Sequence, residues 1–198
     1  DYDVAGTIIG LVEKDKIVDG SDIRPGMVII GLPSNGLHTN GYSLARKVIF
    51  ENAGLSASDT HNLLEGRTVG EALLEVHRSY LREIEPLLAE ELVRGTAHIT
   101  GGGIPGNLSR ILPEGCGAVI EPSWSVPVIF DVIRELGGIA ESEMRKAFNM
   151  GAGMLIVADE NDADRILELL RTNGEKPFSA GRILAGSDLT YDTCKSQK

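Results

Sequence analysis

Two apolar runs, residues 27–32 and 153–158, restrict the architecture open to this chain more than its length does. Each is six residues long and unbroken by charge. Runs of that length are short for a core helix and suit a strand buried on both faces. The first follows Arg24-Pro25-Gly26, where proline presets φ and glycine accepts a positive one, and it leads into a polar loop at 33–39. Further strand patterns fall at 97–100, 118–121, 178–184 and 189–191. Two more are expected near the start, at 4–12 and 16–18, with a charged turn at 13–15 between them.

Helical patterns separate these strands. Leu44, Val48 and Ile49 form a stripe on a helix at 41–52, with Thr39 or Asn40 as its cap and Gly54 near its stop. Residues 69–92 read as helix with a break, and Pro86 marks a kink or a boundary. Shorter helices are expected at 108–112, 126–136, 141–148 and 162–172, and 55–67 reads as an exposed connection. The alternation is irregular. The expected fold is therefore α/β in the broad sense, more narrowly α+β: a mixed β-sheet covered by helices, with no clean βαβ repeat.

Composition narrows the function. A net charge of -10 and a pI near 4.9 argue against a nucleic-acid surface, which needs clustered Lys and Arg. Aromatic residues make up 5%, which argues against base-stacking platforms, and no apolar stretch is long enough to span a bilayer. A small anion can still be held where a few donors converge in a cleft. Cys116 and Cys194 match no metal or redox spacing and read as thiols of a cytoplasmic protein. His38, His61, His77 and His98 include no pair at metal-ligand spacing, so no metal ligands, and no protein-only zinc site, are expected.

Three glycine-bearing clusters carry the functional signal. Ser34-Asn35-Gly36-Leu37-His38-Thr39-Asn40-Gly41-Tyr42-Ser43 joins a strand to a helix, where amides and neutral side chains can donate to an anion or simply cap the helix. His98-Ile99-Thr100-Gly101-Gly102-Gly103-Ile104-Pro105-Gly106-Asn107 can form an anion cradle or a tight turn; it is neither a Walker A loop nor a dinucleotide fingerprint. Phe148-Asn149-Met150-Gly151-Ala152-Gly153 permits close packing, a bulge or access to a cleft. His38 is the candidate general acid or base, because imidazole titrates near neutral pH.

The order and spacing of Asp1-Tyr2-Asp3-Val4-Ala5-Gly6, Val12-Glu13-Lys14, Asp19-Gly20 and His38-Thr39-Asn40-Gly41-Tyr42-Ser43-Leu44 resemble the phosphoribosylformylglycinamidine cyclo-ligase family. So do His98-Ile99-Thr100-Gly101-Gly102-Gly103, Asn107, Arg110-Ile111-Leu112-Pro113 and Phe148-Asn149-Met150-Gly151, and the similarity covers nearly the whole chain. The resemblance implies a C-terminal domain of the PurM type at 21–193, preceded at 1–20 by the last strand region of an N-terminal ATP-binding domain and followed by a polar tail at 194–198. It implies a ligase of purine biosynthesis that uses ATP and Mg²⁺, bound mainly by the N-terminal domain, to close formylglycinamidine ribonucleotide into aminoimidazole ribonucleotide. ATP phosphorylates the formyl oxygen, the amidine nitrogen attacks the activated carbon, and phosphate leaves. The full-length enzyme is expected to be a homodimer with a small ribonucleotide substrate and no nucleic-acid or membrane partner, and this chain alone is expected not to turn over.

On this reading His38 and Asn40 are catalytic candidates. Gly101, Gly102 and Gly103 are expected as backbone donors to the ribose phosphate, Thr100 and Asn107 as orienting groups, and Arg78 as an anion partner. One departure stands out: the family pattern Pro-Thr-Arg is replaced here by Val76-His77-Arg78. The alternatives are a non-catalytic phosphoryl-ligand binding module and another ATP-dependent synthetase of the same superfamily.

Overall fold

A computed structural model describes residues 5–192; Val4 of the first expected strand and the expected tail at 194–198 lie outside the described residues. Six strands form one mixed sheet: β1 (Val28–Pro33), β2 (Gly95–His98), β3 (Cys116–Ile120), β4 (Ala152–Ala158), β5 (Phe178–Ala185) and β6 (Leu189–Tyr191). Their order across the sheet is β2-β4-β1-β5-β3-β6, and every neighbouring pair is antiparallel except β3 and β6. The two apolar runs lie side by side as β1 and β4, with Ile29 opposite Val157 and Gly31 opposite Leu155.

Strand alternation sends neighbouring side chains to opposite faces, so each central strand feeds two cores. Ile29, Leu155, Val157 and Ile183 pack on one face with Ile104 and Leu108 of helix α4 (Gly103–Leu108). Ile30, Leu32, Ile156 and Ala158 pack on the other. There they meet Leu87 of α3 (Leu81–Ala89) and Ile166 and Leu170 of α7 (Ala163–Thr172).

A third core is built from helices beyond the sheet end. It joins α1 (Tyr42–Arg46) and its wider π-type continuation (Lys47–Asn52) to α2 (Val69–Leu73), α5 (Val128–Gly137) and α6 (Glu141–Ala147). Helix α5 buries Ile129, Phe130, Val132 and Ile133, each contributing about 1.5–3 kcal/mol of apolar burial.

Four expectations need correction. Residues 5–12 and 16–18 form no strand; a strand requires a partner for its N–H and C=O groups, and this segment pairs with none of the described strands. Ile8, Ile9 and Leu11 are almost fully exposed along it. The long helix breaks at 74–80, not at Pro86, which sits inside α3.

The helix after the glycine triplet starts at Gly103 and ends at Leu108, earlier than 108–112, because Ile104 and Leu108 both anchor in the sheet core. Neither Thr39 nor Asn40 caps α1. Gly41 does so in a left-handed conformation, and both side chains donate instead to the His38 carbonyl.

Candidate active site and histidine cluster

The three glycine-bearing segments meet at one end of the sheet, around the turn that links α6 to β4. β1 delivers the 34–41 loop, β2 runs into the 99–103 loop, and β4 begins between them, with His98 opposite Met154 and Pro33 opposite Ala152. Asn149 ties the turn to the first loop. Its Oδ1 accepts from the Ser34 hydroxyl at 2.7 Å and from the Gly151 N–H at 2.9 Å, and its Nδ2 donates to the Gly36 carbonyl at 2.9 Å. Gly41 is needed as glycine, since a Cβ there would lie 2.2 Å from the Phe148 ring. His38, Thr39 and Met150 adopt positive φ near this turn, a conformation that non-glycine residues keep only where their surroundings hold them.

Asn107 is buried and occupied with its own loop. It accepts from the Thr100 hydroxyl at 3.0 Å and donates to the Gly103 carbonyl at 2.7 Å. The glycine triplet is not an open row of donors. The Gly102 N–H donates to the Lys146 carbonyl and the Gly103 N–H to the Thr100 carbonyl. A Cβ on Gly103 would fall 1.8 Å from the Arg145 carbonyl, so close packing of α4 on α6 explains that glycine. Gly101 is exposed, with nothing within 4 Å of a Cβ built on it. The expectation of three phosphate donors is therefore corrected to a loop with two of its amides already spent inside the fold.

Arg78 is also engaged. It pairs with Glu175 and, at 3.4 Å, with Glu83, and its guanidinium lies 4.8 Å from the centre of the Tyr80 ring. Burial pushes the Glu83 carboxyl and the Tyr80 phenol above their ordinary pKa ranges. The Tyr80 hydroxyl donates to the Pro33 carbonyl at 2.9 Å, tying the 74–80 segment to the end of β1.

That segment also carries His77 against His38 and His98. The rings of His38 and His77 stack with centroids 4.1 Å apart, and those of His77 and His98 lie 5.1 Å apart. One ligating nitrogen from each of the three residues lies within 4.8 Å of the other two. The expectation of no metal ligands rested on spacing along the chain, and that spacing does not show this proximity, because the three histidines come from three separate segments.

His38 Nδ1 and His98 Nε2 are buried without a hydrogen-bond partner, an arrangement that costs on the order of 1–3 kcal/mol per group. Burial, then the neighbouring His77, His98 and Arg78, push His38 down to about 4, so it is neutral near pH 7. Burial and His77 lower His98 as well.

Mg²⁺ prefers carboxylate and other oxygen ligands. Among the described residues, the histidine cluster is the one group of three or more His, Cys, Asp or Glu side chains close enough to share an ion, and it offers nitrogen rather than oxygen. No helix among them is long and apolar enough to cross a membrane.

Comparison with known proteins places this geometry. Phosphoribosylformylglycinamidine cyclo-ligase of Myxococcus xanthus is 46% identical over 187 residues, covering 94% of this chain and 54% of that protein. The chain thus spans about half the length of the curated relatives it matches.

Among solved structures, thiamine-monophosphate kinase from Stenotrophomonas maltophilia shares the fold at a TM-score of 0.61 and 16% identity, over 91% of this chain and 54% of the kinase. PurL of Thermotoga maritima complexed with ATP shares it at 0.51 and 19%, over 91% of this chain and 26% of PurL. Residues 24–192, which contain the whole sheet and all three loops, match the family described as AIR synthase related protein, C-terminal domain, and the chain belongs to that family.

Proposed function

We propose that this chain forms the C-terminal half of an ATP-dependent ligase that closes formylglycinamidine ribonucleotide into aminoimidazole ribonucleotide. The supporting observation is the 46% identity to a cyclo-ligase across 94% of the chain, a span that includes all three glycine-bearing loops. ATP with Mg²⁺ supplies the phosphoryl group that activates the formyl oxygen, and both bind mainly to the other half. The full-length enzyme works as a cytoplasmic homodimer on a small ribonucleotide.

Within this half, His38 and Asn40 act nearest the reacting centre. His38 is held in a positive-φ conformation, and its carbonyl accepts from the Asn40 side-chain amide at 2.8 Å, which couples the two residues. Exposed Gly101 offers the closest approach of backbone to a phosphate, and Gly102 and Gly103 shape the turn behind it. Thr100 and Asn107 position this loop through their mutual hydrogen bond. Arg78, balanced by Glu83 and Glu175, orients the segment at 74–80 and can exchange one carboxylate for a ligand anion.

The test uses the full-length protein with ATP and formylglycinamidine ribonucleotide. Ring closure should release one phosphate per product. His38→Ala should lower kcat by about 10²–10⁴-fold if it transfers a proton. ATP hydrolysis that ignores the ribonucleotide, or no ring closure at all, would overturn the assignment.

A further inference from the structure

We propose that His38, His77 and His98 bind one divalent transition-metal ion of the zinc class. This inference does not depend on the ligase reading. Three neutral imidazoles with one open position make the donor set of many zinc sites, and imidazole nitrogen also suits cobalt, nickel and copper. Their candidate nitrogens already lie within 4.8 Å of one another. Metal–nitrogen bonds of about 2.0–2.1 Å in a tetrahedron require separations of about 3.4 Å. Closing that difference requires the rings of His38 and His77, now stacked 4.1 Å apart, to turn toward one point.

Two of the three imidazoles hold back a nitrogen. His38 Nδ1 and His98 Nε2 are buried and bond to nothing in the fold. On His38 the other nitrogen has a partner, since Nε2 lies 2.5 Å from Asn35 Oδ1. The Asn35 amide is oriented by its Nδ2, which donates to the Val76 carbonyl at 2.7 Å. Oδ1 therefore faces the imidazole, Nε2 carries the proton, and Nδ1 keeps its lone pair. The Asn35 backbone N–H approaches the same Nε2 at 3.2 Å, a longer contact that favours the opposite tautomer. The shorter bond decides.

A carbonyl oxygen on the far nitrogen of a ligand histidine is the arrangement that fixes imidazoles in metal sites. His77 and His98 border an open recess of about 360 Å³ shared with Tyr80, Leu81, Ile84 and Met154, which leaves room for a fourth ligand from solvent. The nearby Arg78 does not repel an ion with its full charge, since Glu83 and Glu175 balance it. An ion on Nδ1 takes the lone pair that proton transfer would use, so the filled and empty sites differ in what His38 can do.

The test is titration of the metal-stripped chain with Co²⁺ alone, followed by competition with Zn²⁺ against a chromophoric chelator. One equivalent should bind, with the visible absorption of a four-coordinate nitrogen site. His77→Gln, at a half-buried position on a connecting segment, and His98→Gln should each weaken binding by more than about 100-fold. Asn35→Ala should weaken it by about 10–100-fold.

His61→Gln should leave binding unchanged, and circular dichroism establishes that each variant is folded. If the parent chain binds no Co²⁺, or if folded His77→Gln binds as well as the parent, the proposal is overturned.

Discussion

Removing the Asn149 side chain should loosen the whole site, because one buried amide holds the α6–β4 turn against the 34–41 loop. In Asn149→Ala the Gly151 N–H and the Gly36 carbonyl lose their partner, while the Ser34 hydroxyl can rotate to seek another. Each stranded backbone group costs about 1–3 kcal/mol, and some relaxation is expected, so the total loss should be about 2–4 kcal/mol. For a domain of this size that corresponds to a fall in Tm of about 4–16 °C.

Trp124 is the single tryptophan, and its Nε1 donates to the Met150 carbonyl, so its fluorescence reports on this turn during urea unfolding. Asn149→Asp separates the donor from the acceptor. It keeps both accepted bonds but sets a carboxylate against the Gly36 carbonyl, and should be at least as damaging at pH 7. Its deficit relative to the parent should shrink in acid, where the protonated carboxyl can donate. An alanine variant within about 0.5 kcal/mol of the parent, the size of an ordinary surface change, would refute the reasoning.

Other perturbations test separate parts of the structure. NMR titration should place His38 at about 4, below its ordinary 6.5; His77→Gln should raise it without restoring 6.5, because burial is the larger cause. The sign follows by linkage: the unfolded chain binds the proton first, so His38 contributes stability above pH 6.5 that is lost as pH falls toward 4. An unmoved His38 titration in the variant would remove His77 from the explanation. Gly103→Ala should lose more than about 2 kcal/mol through its clash and its positive φ, whereas Gly101→Ala should stay within about 0.5 kcal/mol in thermal unfolding. Equal losses at both positions would show that the loop is not packed as described.

The sheet was legible because β1 and β4 are buried on both faces, which turns a strand into an uninterrupted apolar run. Helices α5, α6 and α7 were legible from their amphipathic spacing and fall within two residues of expectation. The cap of α1 is not legible in the sequence, because positive φ at His38 and Thr39 turns the Thr39 and Asn40 side chains back toward a carbonyl, and no local pattern encodes that. Gly103, Pro105 and Gly106 are poor helix formers, so α4 exists by virtue of the core contacts of Ile104 and Leu108. The histidine cluster was invisible for a different reason. Its members meet only after β1, β2 and the segment at 74–80 have been brought to one end of the sheet.

The strand order has a consequence for how the protein is made. β1 ends at Pro33, yet its neighbours on either side are β4, which begins at Ala152, and β5, which begins at Phe178, so both are synthesised long after it. At a synthesis rate of about 5–20 residues per second, β1 waits on the order of ten seconds with its apolar side chains unpartnered. No two of the described strands that are consecutive in the chain pair with each other, and topologies dominated by distant pairings fold in milliseconds to seconds even when the whole chain is present. The interval between translation of β1 and arrival of β4 is when this chain most needs a chaperone.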